Sequence, residues 1–439
     1  MKRKLFRQIS NEWRSNLWLG VELLIVSVVL WYAVDFITVA TAKRLEPQGF
    51  DTTSTIHMDF TSIPEASPEY VQLDDGLNYW QHWAKGVNTL LSRISNHPDV
   101  IAAGSATGGG QPFDGSWSIT SMVEAYPQQG DTLRIGEARG ENTDDRPDDV
   151  NYRLYKVEMT PENLKVFDIH GIDGETPEEL GEILLRGEIL MSESAVVRSN
   201  RTPRSLRGCE FYVNNDTTRT VRVGAVIPYL NSMSRFKGVS NSAKYISLLD
   251  STRSGYTLNV RVHPGREKAF IDDIYENADK LYKAYNVTFD EINTYADFAD
   301  DYERDDRLHL RNWGVCIGFL LLSIFLGVFG TFWFRTQQRV SEIAIRKTFG
   351  ARRRHISSRL IGEGLGILLL ATIPAALIDT VLAHYELNTH MYGVYLAPGR
   401  LLLEIAITFL LMAVMIVLGI WIPARRAMRT DPARALAAE

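Results

Sequence analysis

The sequence predicts an α-helical membrane protein with four transmembrane helices plus an α+β extracytoplasmic domain of two subdomains. Three observations carry this. Four apolar runs, 17–37, 313–334, 360–383 and 401–422, each reach the length of about 20 residues that crosses about 30 Å of hydrocarbon. A polar stretch of about 270 residues, long enough to bury its own core, separates the first run from the second. Lys and Arg gather on alternate sides of the runs.

The basic clusters fix the expected orientation. Lys2, Arg3, Lys4, Arg7 and Arg14 precede the first run; Arg339, Arg346, Lys347, Arg352, Arg353, Arg354 and Arg359 lie between the second and third; Arg425, Arg426, Arg429 and Arg434 follow the fourth. The loop between the third and fourth runs holds only Arg400, at its far edge. Both termini and the basic loop are therefore expected in the cytoplasm. The formal charge of −6 divides into +2 for residues 1–42, +6 for 313–439 and −14 for 43–312. So acidic an exported segment argues against nucleic acid as a partner and reads by default as a solvated surface.

The expected order follows. Residues 1–16 form a cytoplasmic amphipathic helix, with Leu5, Phe6, Ile9 and Trp13 at helical spacing among basic residues. Residues 17–42 form the first transmembrane helix and a stalk. Ala40-Thr41-Ala42 looks like a cleavage site, but the apolar stretch exceeds a signal peptide's core, so it is read as a retained anchor. Residues 43–312 form the extracytoplasmic domain, with a stalk helix at its end. Then come the second span (313–334), a cytoplasmic loop (335–359), the third span (360–383), a short outer loop (384–400), the fourth span (401–422) and a cytoplasmic tail (423–439).

Within 43–312, strands are expected at 54–60, 116–126, 152–157, 188–191 and 256–262, and a hairpin from 210–213 and 219–226 around Asn214. Helices are expected at 76–95, with Trp80, Trp83, Val87, Leu90, Leu91 and Ile94 on one face, and at 161–167, 193–198 and 266–285. The charged stretch 290–311 reads as a helix running unbroken into the second span. It is either a mechanical stalk or a solvated juxtamembrane helix.

Catalytic, cofactor and metal motifs are not found. The chain has no phosphate-binding loop of the Gly-x-x-x-x-Gly-Lys type, and Gly108–Gly110 is a turn. It has neither Gly-x-Ser-x-Gly nor His-Glu-x-x-His. His384 and His390 are isolated in the outer loop and read as solvated. Cys209 and Cys316 belong to different regions, so no internal disulfide is expected. Glu22, Asp35, Glu363, Asp379 and Glu404 lie near span ends rather than at the midplane, where an ion pathway would want them. Glu363 either pairs with Arg352, Arg353 and Arg354 or reaches water as an interfacial carboxylate. Gly314 and Gly318, and Gly362 and Gly366, have the spacing that lets helices pack closely.

The basic loop carries the sharpest signal. Glu342 and Arg346 are spaced for a favourable helical pair, Ile345 and Phe349 share a face, and Gly350 suits a helix end. The arginines beyond it face anionic lipid headgroups. A loop that only fixed topology would need none of this ordering.

The run Ser341-Glu-Ile-Ala-Ile-Arg-Lys-Thr-Phe-Gly-Ala351 resembles the signature of MacB/FtsX-type ABC transporter permeases. The tail from Pro423 to Leu436 is similar to that family's closing segment, and the one-plus-three span order matches. Residues 157–169, 189–195 and 219–227 resemble the MacB-type periplasmic domain. Thr348 and Phe349 depart from the small and aliphatic residues usual there, the first span begins atypically, and no fused ATPase is present.

The resemblance implies a non-catalytic permease subunit in a bacterial inner membrane. A separate cytoplasmic ABC ATPase would dock on Ser341, Glu342, Ile343, Ala344, Ile345, Arg346, Lys347, Phe349, Gly350 and Ala351. It implies pairing with a second copy or a sister permease, and admits a periplasmic adaptor. The implied work is export or extraction of a peptide, lipid, lipoprotein or drug from the outer side. An FtsX-like regulator of a cell-wall hydrolase and a membrane-anchored periplasmic enzyme are the alternatives.

Overall fold

The computed structural model describes residues 13–45, 47–73, 76–107, 109–114, 118–126, 133–135, 152–199, 202–214, 216–236, 244–249, 257–338, 345, 353–384 and 398–429. The amphipathic segment before Trp13, the acidic loop 145–149, the outer loop 385–397 and the tail after Arg429 lie outside these residues. The chain divides into one unit of 1–42 and 306–439 and another of 43–305.

In chain order the elements are α1 (Trp13–Arg44), β1 (Thr55–Ser62), α2 (Tyr79–Ser95), β2 (Val100–Gly104), β3 (Ala106–Thr107), β4 (Ile119–Glu124), β5 (Leu133–Ile135) and β6 (Tyr152–Met159). Then come α3 (Pro161–Val166), α4 (Pro177–Leu185), β7 (Ile189–Ser192), β8 (Val196–Ser199), β9 (Glu210–Val213), β10 (Asp216–Ile227), β11 (Lys244–Leu248) and β12 (Thr257–Val262). The last are α5 (Glu267–Glu276), α6 (Ala278–Leu281), β13 (Val287–Thr294), α7 (Tyr295–Tyr302), α8 (Arg304–Gln338), α9 (Arg353–His384) and α10 (Pro398–Arg429).

The first unit is built from α1, α8, α9 and α10, all long and apolar enough to cross a membrane. Each extends beyond its apolar run. In α8 a charged first part, Arg304–Arg311, continues into the apolar part without a break. Their shared core gathers Leu23, Leu30, Phe332, Leu368, Met412 and Ile416.

The second unit holds two sheets. The smaller has the order β13-β1-β12-β2, antiparallel throughout. On one face α2 and α5 cover it, burying Met58, Trp83, Leu90, Val260 and Phe270 together. A capping box starts α2: Asn78 Oδ1 accepts from the Gln81 amide, and the Gln81 side chain accepts from the Asn78 amide. The larger sheet runs β11-β7-β10-β9-β4-β6-β3, and β11 also pairs with β6, closing six strands into a ring. Met122, Leu154, Met191, Phe211 and Val223 form one cluster from its strands, while Val157, Met159, Ala225 and Ile227 join a second cluster with α3 and α4. The register of β10 shifts between Val223 and Ala225. This bulge at Gly224 changes which alternate residues join each cluster, so Val223 and Val226 end on the same side.

Four expectations are corrected here. Residues 290–294 belong to strand β13, not to a helix leading to the membrane. The β-branched run Val287–Thr294 pairs with β1, and α7 and α8 follow only after it. Residues 193–198 make a single 3₁₀ turn and then strand β8, which pairs with β5. The helix expected over 266–285 stops at Asn277, whose side-chain Nδ2 donates to the Asp273 carbonyl at 3.1 Å. In α2, Trp80 is exposed rather than part of the packed face.

Candidate functional site

At the end of the bundle where the 339–352 connection leaves, three helices are tied by charge. Arg335 of α8 donates through Nη1 to Glu363 of α9 at 3.0 Å, and both side chains are buried. The Arg335 guanidinium also lies 5.5 Å from the centre of the Phe332 ring. Two residues earlier on α8, the Trp333 ring lies under the Arg426 guanidinium of α10 at 4.8 Å. The second span is thus fixed to the third by a buried ion pair and to the fourth by a cation–π contact, both within six residues of the connection.

Packing at this level depends on Gly364. A Cβ there would lie 2.5 Å from Ile420 Cδ1 and 2.9 Å from Ile416 Cγ2. Gly419 plays the same part between α10 and α8, where a Cβ would meet the Phe325 carbonyl oxygen at 3.2 Å. These two glycines permit close helix approach.

The opposite end holds a second buried polar group. Arg400, near the start of α10, donates from Nη2 and Nε to Asp35 Oδ1 of α1 at 2.8 and 3.1 Å. Its Nε also lies 3.2 Å from Glu404 Oε1. Asp35, Glu404 and Asp379 are all buried.

In the second unit, Glu303 closes α7 immediately before α8 begins. It is fully buried and accepts from the Arg235 amide at 2.8 Å, from Nε at 2.9 Å and from Nη2 at 2.7 Å. These bonds to a buried carboxylate push the Arg235 guanidinium pKa up. The loop at 231–236 is thereby clamped to the last residue before the long helix.

The predicted site residues distribute as follows. Ser341, Glu342, Ile343, Ala344, Arg346, Lys347, Phe349, Gly350, Ala351 and Arg352 lie outside the described residues. Ile345 is helical and 45% exposed. Arg353 and Arg354 open α9. Glu363 is buried rather than facing water, and it forms a salt bridge with Arg335; the side chains of Arg352, Arg353 and Arg354, its other expected partners, lie outside the described residues. The reason is geometric, since Glu363 lies about three turns into α9 and faces α8. Gly314 and Gly318 meet no described atom within 4 Å of an added Cβ, which leaves their face open, and a tight contact falls at Gly364, between Gly362 and Gly366.

Sequence reasoning did not find Arg335, the Asp35–Arg400 pair, or the Arg235–Glu303 clamp. A charge of each sign inside or just beside an apolar run was the available signal for the first two. Nothing local links Arg235 to a residue 68 positions away.

Four apolar helices joined through buried ion pairs, with a large α+β domain inserted after the first, define a multi-pass membrane protein. Residues 314–432 match the FtsX-like permease C-terminal family. That part of the chain is similar to the C-terminal domain of FtsX-like permeases. Among solved structures, the chain is similar to the periplasmic region of MacB from Actinobacillus actinomycetemcomitans, at 10% identity over 60% of this chain and 98% of that one, with a TM-score of 0.32. It is also similar to the extracellular domain of the noncanonic ABC-type transporter YknZ from Gram-positive bacteria, at 10% identity over 54% of this chain and 100% of that one, with a TM-score of 0.30. No curated protein matches the chain by sequence.

Proposed function

We propose that this chain is the permease subunit of a MacB/FtsX-type ABC transporter, driven by a separate cytoplasmic ATPase and working on a substrate from the outer side of the bacterial inner membrane. The observation that carries the reading is the family match over 314–432, which contains the whole 341–351 segment. On this reading the ATPase docks on Ser341–Ala351, and both termini are cytoplasmic.

The arrangement of the bundle supports transmission from that segment. Arg335 and Trp333 lie six and eight residues before Ser341, and they are fastened to α9 and α10. The unbroken course of α8 from Arg304 to Gln338 gives a rigid rod along which displacement passes. The open positions Gly314 and Gly318 leave a smooth strip for a second permease, either a copy of this chain or a sister subunit. Export or extraction of a peptide, lipid, lipoprotein or drug is the corresponding work.

The test is capture of an ABC ATPase by the full chain in nanodiscs, wild type against the Glu342→Lys/Arg346→Glu double variant. Capture by the wild type and its loss in a folded variant is the expected result. Equal capture by both would move the dock elsewhere, and no capture would remove the motor from the reading.

A further inference from the structure

The second unit carries a small pocket lined by aromatic rings, at the edge of the four-stranded sheet and away from the Arg235–Glu303 clamp. Its volume is about 140 Å³, and Tyr70, Tyr79, His82, Trp83, Tyr285 and Glu65 are among the residues around it. A space this size takes one side chain or a benzene-sized group, not a drug-sized molecule.

The walls are held in place by specific features. Tyr285 and Asn286 both have positive φ, 52° and 62°, which non-glycine residues rarely adopt. They form a two-residue turn closed from both sides: the Ala284 amide donates to the Val287 carbonyl at 3.0 Å, and the Val287 amide to the Ala284 carbonyl at 2.8 Å. Asn286 then pins the strap that crosses the pocket. Its Oδ1 accepts from the Val71 amide at 2.9 Å, its Nδ2 donates to the Val71 carbonyl at 2.8 Å, and its carbonyl accepts from the Ile63 amide at 2.7 Å. Helix α2 comes against the turn at Gly86, where a Cβ would lie 2.5 Å from Val287 Cγ2. Backbone strain kept by this many contacts marks a preorganised position.

The chemistry of the lining selects a cation. Tyr79 stacks near Trp83, with centroids 6.5 Å apart, and His82 stacks near Tyr285 at 6.3 Å. The Tyr285 ring already carries an ammonium of this chain, since Lys85 Nζ lies 5.6 Å from its centre. The neighbouring Lys283 is neutralised by Glu69 at 2.6 Å and Asp279 at 2.8 Å. Glu65, an exposed residue of the lining, forms no ion pair among the described residues. The surrounding segment 43–312 is strongly acidic, at −14. Aromatic faces with a carboxylate at the rim attract ammonium and guanidinium groups and repel anions.

We propose that this pocket binds the ammonium or guanidinium end of a lysine or arginine side chain presented by a polypeptide partner. The size of the pocket favours a single side chain, and the net charge of −14 on segment 43–312 favours a basic polypeptide as its carrier.

The experiment uses the full chain in nanodiscs, titrated with the peptide acetyl-Gly-Lys-Gly-amide, with the same peptide acetylated on the lysine Nε, and with tetramethylammonium, each read by calorimetry and saturation-transfer NMR. The lysine peptide is expected to bind saturably. Binding should weaken about fivefold in Tyr79→Leu and in Tyr285→Leu, which keep apolar bulk but lose the ring. It should weaken about threefold in Glu65→Gln. Acetylation should abolish it, and Tyr275→Leu, an exposed ring on α5 outside the pocket, should leave it unchanged. Tyr79 is exposed at the start of α2, so Tyr79→Leu gives a folded variant even if the strained turn does not tolerate Tyr285→Leu. Equal affinity for the acetylated peptide, equal binding by wild type and Tyr79→Leu, or no saturable binding would each overturn the proposal. Binding of tetramethylammonium without binding of the peptide would also overturn it, in favour of a small-cation site.

Discussion

Arg335 and Glu363 meet at 3.0 Å inside the helical bundle, each less than a tenth exposed. Taking two charges out of water is costly, and their mutual attraction offsets that only while both are present. The pair is therefore asymmetric in its response to mutation. Glu363→Ala should lower stability by about 3–5 kcal/mol, because it strands a buried guanidinium. Arg335→Met/Glu363→Met should recover most of that loss. Thermal unfolding of the purified chain in detergent distinguishes these outcomes. A double variant as unstable as the single one would show that the side chains matter through packing rather than charge. If the pair also transmits motion, the double variant should remain folded yet uncouple ATP hydrolysis from work.

A second prediction concerns the opposite end of the bundle. Arg400 bonds Asp35 at 2.8 Å and lies 3.2 Å from Glu404. Arg400→Met removes the guanidinium held between two buried carboxylates. It should destabilise the bundle, and Asp35→Asn added to it should restore part of the loss. Unfolding midpoints of the single and double variants in the same detergent give the check. Additive losses would mean that the two residues do not interact.

These two relationships show what the sequence made legible. Four spans, the inserted α+β domain and the strands at 152–159 and 257–262 followed from hydropathy, length and alternation, all of which are local. The partner of Glu363 did not. Its nearest cations in sequence are Arg352–Arg354 and Arg359, and only the packing of α9 on α8 brings Arg335 to it. The helix α4 was missed although Thr176 and Glu179 form a capping box around Pro177; the signal was present and not used. The strand over 290–294 was misread because Asp290 and Glu291 sit side by side and break the two-residue alternation that marks a strand. The aromatic pocket depends on a turn at Tyr285–Asn286 with positive φ, and no glycine marks it.

The Arg235–Glu303 clamp yields a third prediction. Glu303 accepts three hydrogen bonds from one residue and is fully buried. Glu303→Ala removes the acceptor of all three and leaves the Arg235 side chain without its main partner. The second unit should lose about 1.5–3 kcal/mol, because the Arg235 side chain left behind is partly exposed to water. Glu303→Gln keeps the shape but removes the charge, and should cost less. Urea unfolding of the full chain in nanodiscs, followed by hydrogen exchange at residues 231–236, is the measurement. Unchanged protection in Glu303→Ala would show that the loop is held by something else.

The last prediction is a pH dependence centred on Lys244. This lysine opens β11, is almost fully buried, and donates from Nζ to Ser232 Oγ at 2.7 Å and to the Gly109 carbonyl at 3.2 Å. Burial lowers its pKa to about 7, and the charge of Asp114 opposes that shift only in part. In the unfolded chain the group keeps its ordinary value near 10.5. Between these values the unfolded state binds the extra proton, so folding stability rises with pH. Above about 10.5 the gain is complete, and it is lost as pH falls through about 7, below which both states are protonated. From pH 7.5 to 9.5 the slope attributable to this group should approach about 1.4 kcal/mol per pH unit. Lys244→Met removes the titrating group, so the slope over that window should fall by nearly that amount. Stability measured by urea unfolding of wild type and variant at four pH values decides it. Parallel curves would mean that Lys244 stays protonated in the folded protein, held by Asp114 more strongly than its burial suggests.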